Sequence, residues 1–177
     1  HPVPPYPYKT EEVCFVNETD HATLVGTLTY PVDFEVLRNV PVVVLVSGSG
    51  LQNRDEEIFD HKPFLVIADY LAHHGIATLR YDDRAFGKST GGDRIHNQAT
   101  TLDYMRDARA AIDFLKSRKE FGAVVQFPAA NGEVRDYAGF AAKAHEAGVL
   151  VTAVADLLSL ALLKSPADWG ADIAVGT

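Results

Sequence analysis

Pro41-Val42-Val43-Val44-Leu45-Val46-Ser47, followed by Gly48-Ser49-Gly50, is the stretch on which the fold turns. Its apolar core is almost entirely valine and leaves no polar face, so it reads as a strand buried on both sides, as in a parallel sheet. The glycines give such a strand a tight exit. Working downstream, Pro63 opens a predicted helix to about His73, with Phe64, Ile67, Ala68 and Leu71 on one face and Gly75 as its left-handed stop. Residues 76–81 form the next strand. Thr100 or Thr101 then caps a long helix marked by Leu102, Met105, Ala108, Ile112 and Leu115 at helical spacing. Upstream, residues 13–16 and 24–30 alternate and read as an antiparallel hairpin around residues 17–21, behind a proline-rich arm over residues 1–10.

The same grammar continues toward the C-terminus. Residues 124–127 read as a strand, Asn131-Gly132 as a turn, and Asp136 as the cap of a helix holding Phe140, Ala141 and Ala144, ended by Gly148. A strand over 149–155, an apolar helix over 157–163 and a short strand over 173–175 complete the series. Strands alternating with helices predict an α/β fold: a three-layer sandwich with a mainly parallel sheet and the N-terminal antiparallel hairpin at one edge. No compositional break divides the chain, so residues 1–177 are expected to form a single domain sharing one sheet.

The 177 residues are 47% hydrophobic and 23% charged, as in ordinary globular proteins, with a net charge of −8. That charge argues against nucleic acid as a partner, because no basic stripe offsets it. Arg106, Arg109, Lys116, Arg118 and Lys119 interleave with Asp103, Asp107, Asp113 and Glu120, which reads as a solvated helix face. Cys14 is the single cysteine, excluding an internal disulfide and a thiolate zinc cluster, and its alternation pattern suggests a small core residue. Asp60-His61 beside Glu56 and Glu57 has no metal-ligand spacing, so no metal is expected. His73, His74 and His145 sit near helix C-termini, where partial positive charge is favoured. No apolar run reaches the about 18 residues of a membrane span, so no membrane partner is expected. Without a charged-then-apolar leader the expected location is the cytoplasm of an expression host, the natural one staying open.

The strand 42–46 with Ser47-Gly48-Ser49-Gly50, Asn53-Arg54-Asp55, then Arg80-Tyr81-Asp82-Asp83-Arg84-Ala85-Phe86-Gly87-Lys88-Ser89 and the helix near 101–116, resembles an α/β-hydrolase of the bacterial esterase type over about residues 8–120. The resemblance implies that the loop of Gly48, Ser49, Gly50 and Leu51 donates backbone N–H groups to an oxyanion. The family usually has glycine where Ala85 stands, so that turn is expected to be altered. The nucleophile elbow should follow the strand after the long helix, yet Ala123-Val124-Val125-Gln126-Phe127-Pro128 stands there. Gly87-Lys88-Ser89-Thr90-Gly91 matches the elbow letter for letter, but no helix can open well from Gly91-Gly92-Asp93. Ser89 is therefore read as a decoy on a loop. The phosphate-loop and dinucleotide readings of the same glycines fail at Asp82 and Asn53.

From about Gly122 the chain changes character. Val125-Gln126-Phe127-Pro128, Gly132-Glu133-Val134-Arg135-Asp136-Tyr137, Ala144-His145-Glu146-Ala147-Gly148, Ala155-Asp156-Leu157-Leu158-Ser159-Leu160 and Gly170-Ala171-Asp172-Ile173-Ala174-Val175-Gly176 resemble glycine dehydrogenase (decarboxylating), the P-protein of the glycine cleavage system. That resemblance implies that Asp156 matches the aspartate pairing with the pyridine nitrogen of pyridoxal phosphate, while its simpler reading is a helix N-cap. The family's Schiff-base lysine lies beyond the matching stretch and Lys164 is not at its place, so no cofactor is expected to bind stably.

The sequence thus divides into a hydrolase-like part, residues 1–121, and a glycine-decarboxylase-like part, residues 122–177. The leading expectation is a designed or recombinant chimeric scaffold in which neither parental site is complete. Two alternatives stay open: residual carboxylic ester hydrolysis through Ser89 or Ser47, and a small-anion binding module lined by the loops 48–51 and 82–91. A homodimer through an exposed sheet edge is the one partner expected.

Overall fold

The computed structural model describes residues 2–37, 40–48, 50–95, 98–121, 123–127, 136–146, 151–155 and 163–176. Their strands are β1 (Thr10–Asn17), β2 (Ala22–Thr29), β3 (Val42–Leu45), β4 (Ala77–Tyr81), β5 (Ala123–Phe127), β6 (Val151–Ala155) and β7 (Ile173–Gly176). The helices are α1 (Pro63–Ala72), α2 (Thr101–Lys116) and α3 (Ala138–Glu146), with a 3-10 turn at Pro166–Trp169. The chain divides into two compact units, residues 1–36 with 44–119, and residues 37–43 with 120–177.

The described strands form two hydrogen-bonded sheets, ordered β1-β2-β4-β3 and β5-β6-β7. This replaces the one shared, mainly parallel sheet expected from the sequence. In the first sheet β2 pairs antiparallel with β1 as a hairpin, which needs only a short turn, and antiparallel with β4, which arrives after β3 and α1. In the second sheet β5 and β6 pair parallel, with α3 between them in the chain as their crossover, and β6 pairs parallel with β7. The N-terminal hairpin does stand at one edge, with β1 outermost.

Alternation fixes the first unit. Val13, Phe15 and Asn17 of β1 point inward, opposite Gly26, Leu24 and Ala22 of β2. Phe15 meets Tyr81 edge-on and stacks on Phe114 of α2, each with ring centres 5.6 Å apart. The same period places Cys14 on the outer face, where it is exposed, and the expectation of a core cysteine is corrected by its own buried neighbours.

The long helix also differs from its apolar pattern. Its N-cap is Thr100, joined to Asp103 in a capping box, but the buried face is Asp103, Asp107, Ala111 and Leu115, while Leu102 is exposed. Two carboxylates assigned to a solvated face are therefore interior. Arg109, Asp113 and Lys116, which pair with one another, are the part that faces water.

The second unit closes a small core of Ala141, Val151, Ala153 and Trp169, with Tyr137, Ala144, Leu163 and Ala171 packed around it. Asp136 accepts the Ala138 N–H ahead of α3, while Ser165 and Asp168 cap the 3-10 turn reciprocally. The Asn131-Gly132 turn, Gly148 and all but the last residue of the 157–163 helix lie outside the described residues.

Gly26 faces Tyr81 across β2 and β4, and a methyl group there would come within 2.5 Å of the Arg80 carbonyl oxygen. Gly26→Ala is expected to cost about 1–3 kcal/mol through overpacking. A urea melt followed by circular dichroism reads this as a lower midpoint, whereas an unchanged midpoint would mean that the strands part to admit the methyl.

Candidate functional site

The motifs noted in sequence at 53–55 and 80–89 brace each other in space. Asn53 Oδ1 accepts the N–H groups of Asp55 and Glu57, which turns the chain. Arg54 then grips Asp82 through two side-chain bonds, Nε to Oδ1 at 3.0 Å and a terminal nitrogen to Oδ2 at 2.7 Å. Asp55 pairs with the buried Arg80. Burial alone would raise the Asp82 carboxyl, but Arg54 and the backbone N–H groups of Lys88 and Arg54 hold it below the ordinary carboxylate range.

One residue on, Arg84 is 0% exposed. It donates to both oxygens of Asp107 at 2.7 Å, to Asp20 at 3.0 Å and to the Asp103 carbonyl at 2.9 Å. Asn17 donates to Asp20 and Asp107, and Arg106 donates to Asp20 and Asp103. Burial opposes the Arg84 charge, but the two aspartates outweigh it and push its pKa up. The network ties the hairpin turn, the loop after β4 and α2 into one charged core.

Ala85 is the position at which the α/β-hydrolase resemblance leads one to expect glycine. Its φ is +59°, so the left-handed turn is retained with a methyl group in place. The expectation of an altered turn is corrected: the flanking pairs of Asp82, Asp83 and Arg84 hold the backbone there. Gly87 is left-handed as well, and a methyl there would lie 2.5 Å from Asp82 Oδ2.

Ser89 is 8% exposed. Its hydroxyl donates to the Asp82 carbonyl at 2.7 Å and accepts the Val25 N–H at 3.0 Å, pinning the loop to β2. Within the loop after β3, Gly50 has φ +98°, and the Gly48 N–H donates to Glu56 Oε1 at 3.1 Å. Leu51 is half-buried, and Ser49 lies outside the described residues. Ser47, before Gly48, donates to Asp83 Oδ1 at 2.5 Å, while the Gln52 N–H donates to Asp83 Oδ2 at 2.8 Å. Burial is the largest influence on Asp83 and leaves its carboxyl above the ordinary range despite those donors.

In the second unit, Asp172 Oδ2 accepts both the Val151 N–H and His145 Nε2, each at 2.8 Å, which clasps α3 to the starts of β6 and β7. Asp156 lies outside the described residues. Among the described residues no group of three or more His, Cys, Asp or Glu side chains could hold a metal ion, and no helix is long and apolar enough to cross a membrane.

Two solved structures are similar in fold. A hypothetical protein of Pseudomonas aeruginosa superposes with a TM-score of 0.52 at 22% identity, over 87% of this chain and 44% of that one. An esterase of Pyrococcus furiosus superposes at 0.50 and 13% identity, over 96% and 81% of the two chains. In sequence, the chain belongs to the glycine cleavage system P-protein family, whose sequence model matches residues 81–177. The match begins at Tyr81, well ahead of Gly122, and so includes the Asp82–Arg84 segment. The mitochondrial glycine dehydrogenase (decarboxylating) of Dictyostelium discoideum is 53% identical over 64 residues, covering 36% of this chain and 6% of that protein. The Nostoc punctiforme enzyme is 57% identical over 60 residues, covering 34% and 6%. The chain thus spans about one-sixteenth of the length of these relatives.

Pyridoxal phosphate is the group that family membership brings to mind, and the described residues do not fit it. In the second unit the described lysines, Lys143 and Lys164, are exposed, and His145 is committed to Asp172.

A left-handed φ costs a residue with a Cβ roughly 1–2 kcal/mol. Ala85→Gly is therefore expected to stabilise the first unit, raising its thermal midpoint. A fall would mean that the Ala85 methyl makes packing contacts worth more than the strain.

Proposed function

We propose that the chain is a recombinant scaffold, a hydrolase-type unit joined to a P-protein-type segment, in which neither parental catalytic set operates. The observation that carries this reading lies inside the chain. After α2, where the hydrolase pattern calls for a nucleophile elbow, β5 is followed by P-protein sequence, while the elbow-like Ser89 has its hydroxyl taken up by two backbone groups. The reading takes the first unit as part of a three-layer sandwich: α2 covers the Phe15 face, and α1 lies toward Tyr8 through the Tyr8–Asp69 bond. It also takes β1 as the edge along which two copies pair, its outer residues Thr10, Glu12, Cys14 and Val16 being exposed. The net charge of −8 supports a scaffold that leaves nucleic acid alone.

The test is incubation with pyridoxal phosphate, gel filtration, and absorbance of the protein fraction in the cofactor band. The expected result is no retained absorbance and an eluted mass twice the chain's 19.3 kDa. A stoichiometric band that disappears in Asp156→Ala would overturn the scaffold reading, and a monomer would overturn the edge pairing.

A further inference from the structure

The loop after β3, to which the hydrolase resemblance gives only an oxyanion role, opens on a serine bonded to a buried carboxylate. Ser47 is half-buried, so a small ligand can reach its hydroxyl, which donates to Asp83 Oδ1 at 2.5 Å. Asp83 is only 3% exposed, and its other oxygen is fixed by the Gln52 N–H, so the carboxylate cannot swing away. The next backbone N–H along the chain, that of Gly48, already holds an anionic oxygen, Glu56 Oε1 at 3.1 Å. Gly48 is exposed, and among the described residues other than its chain neighbours the Glu56 oxygen, at 3.5 Å, is the one heavy atom within 4 Å of where a Cβ would stand. Glu56 reaches this place from a left-handed backbone, φ +51°. A serine, a fixed base and an N–H that holds a negative oxygen are the three parts of acyl transfer.

We propose that Ser47 and Asp83 form a hydrolytic dyad for small carboxylic esters with good leaving groups, with the Gly48 N–H as the oxyanion donor and Glu56 as a displaceable stand-in for the oxyanion. Ser47 Oγ forms a bond to the ester carbonyl carbon while its proton passes to Asp83 Oδ1. The carbonyl electron pair moves onto the oxygen held by Gly48 N–H. Collapse breaks the bond to the alkoxy oxygen, which leaves as the alcohol with the proton from Asp83. Water then attacks acyl-Ser47, gives a proton to Asp83, and that proton returns to Ser47 Oγ as the acid departs.

The surroundings strengthen the base. Burial first, then the negative charges of Asp107 and Asp82, raise the Asp83 carboxyl against the donors Ser47 and Gln52, and Tyr81 and Tyr104 also lie within its field. Because Asp83 acts only when ionised, turnover falls as pH drops through a value above the ordinary aspartate range.

The probe is p-nitrophenyl acetate with the full chain, read as release of nitrophenolate and by peptide mapping of the trapped acyl group. The dyad predicts acetyl on the peptide carrying Ser47 and a rate roughly 100-fold lower in Ser47→Ala and Asp83→Asn. Glu56→Ala, which removes the accepting oxygen and frees the Gly48 N–H, is expected to be several-fold faster. Acetyl only on histidine, lysine or tyrosine side chains, or a wild-type rate no higher than that of the urea-unfolded chain, overturns the dyad. The mapping uses the unmutated protein, so it decides the matter even where a variant fails to fold. An unchanged rate in a folded Glu56→Ala overturns the role given to Gly48. Failure of the dyad leaves the scaffold reading standing, since that reading fails on retained pyridoxal phosphate.

Discussion

The first unit depends on the burial of a single guanidinium. An unpaired charge cannot remain in an apolar interior at any ordinary stability, so Arg84 can be enclosed only where carboxylates are waiting. Asp107 comes from the middle of α2, Asp20 from the hairpin turn and the Asp103 carbonyl from the first turn of the helix. Each of those elements is therefore located by the same cation. Asn17 bridges two of the aspartates, and Arg106 balances the remaining charge. Next to this core, Asp82 and Asp83 are themselves buried, one gripped by Arg54 and the other by Ser47. The loop after β3 and the loop after β4 are held together as a consequence.

Much of this was legible in the sequence and part was not, for identifiable reasons. The apolar run after Pro41, Pro63 at a helix start, Thr100 before α2 and the alternation of β1 and β2 each act through local geometry, and each element lies close to where its signal falls. The phase of α2 was hidden because an apolar count assigns every aspartate to water. Asp107 is interior by virtue of Arg84, and Asp103 by virtue of Thr100 and Arg106. Cys14 was misjudged because its neighbours Val13 and Phe15 claimed the inward positions. The left-handed Ala85 was unreadable from local propensity, since tertiary contacts impose it. The Ser47–Asp83 bond joins residues 36 positions apart and left no local signal.

The second unit gathers its own small core. Trp169 supplies most of the apolar bulk against Ala141, Val151 and Ala153, small residues that admit close approach. The Asp172 carboxylate gathers a backbone N–H and a histidine at one point, and those donors hold it below the ordinary range in spite of burial. Parallel pairing of β5, β6 and β7 satisfies the backbone between them. Each unit thus carries its own reason to fold.

The central claim is that Arg84 and Asp107 locate the first unit jointly and not as two independent contacts. A double-mutant cycle with Arg84→Met and Asp107→Leu, read by urea denaturation, tests it most directly. Either single change strands a buried charge and should destabilise strongly, while the double change removes both charges and should recover at least about 2 kcal/mol of the summed loss. Losses that simply add would contradict the account.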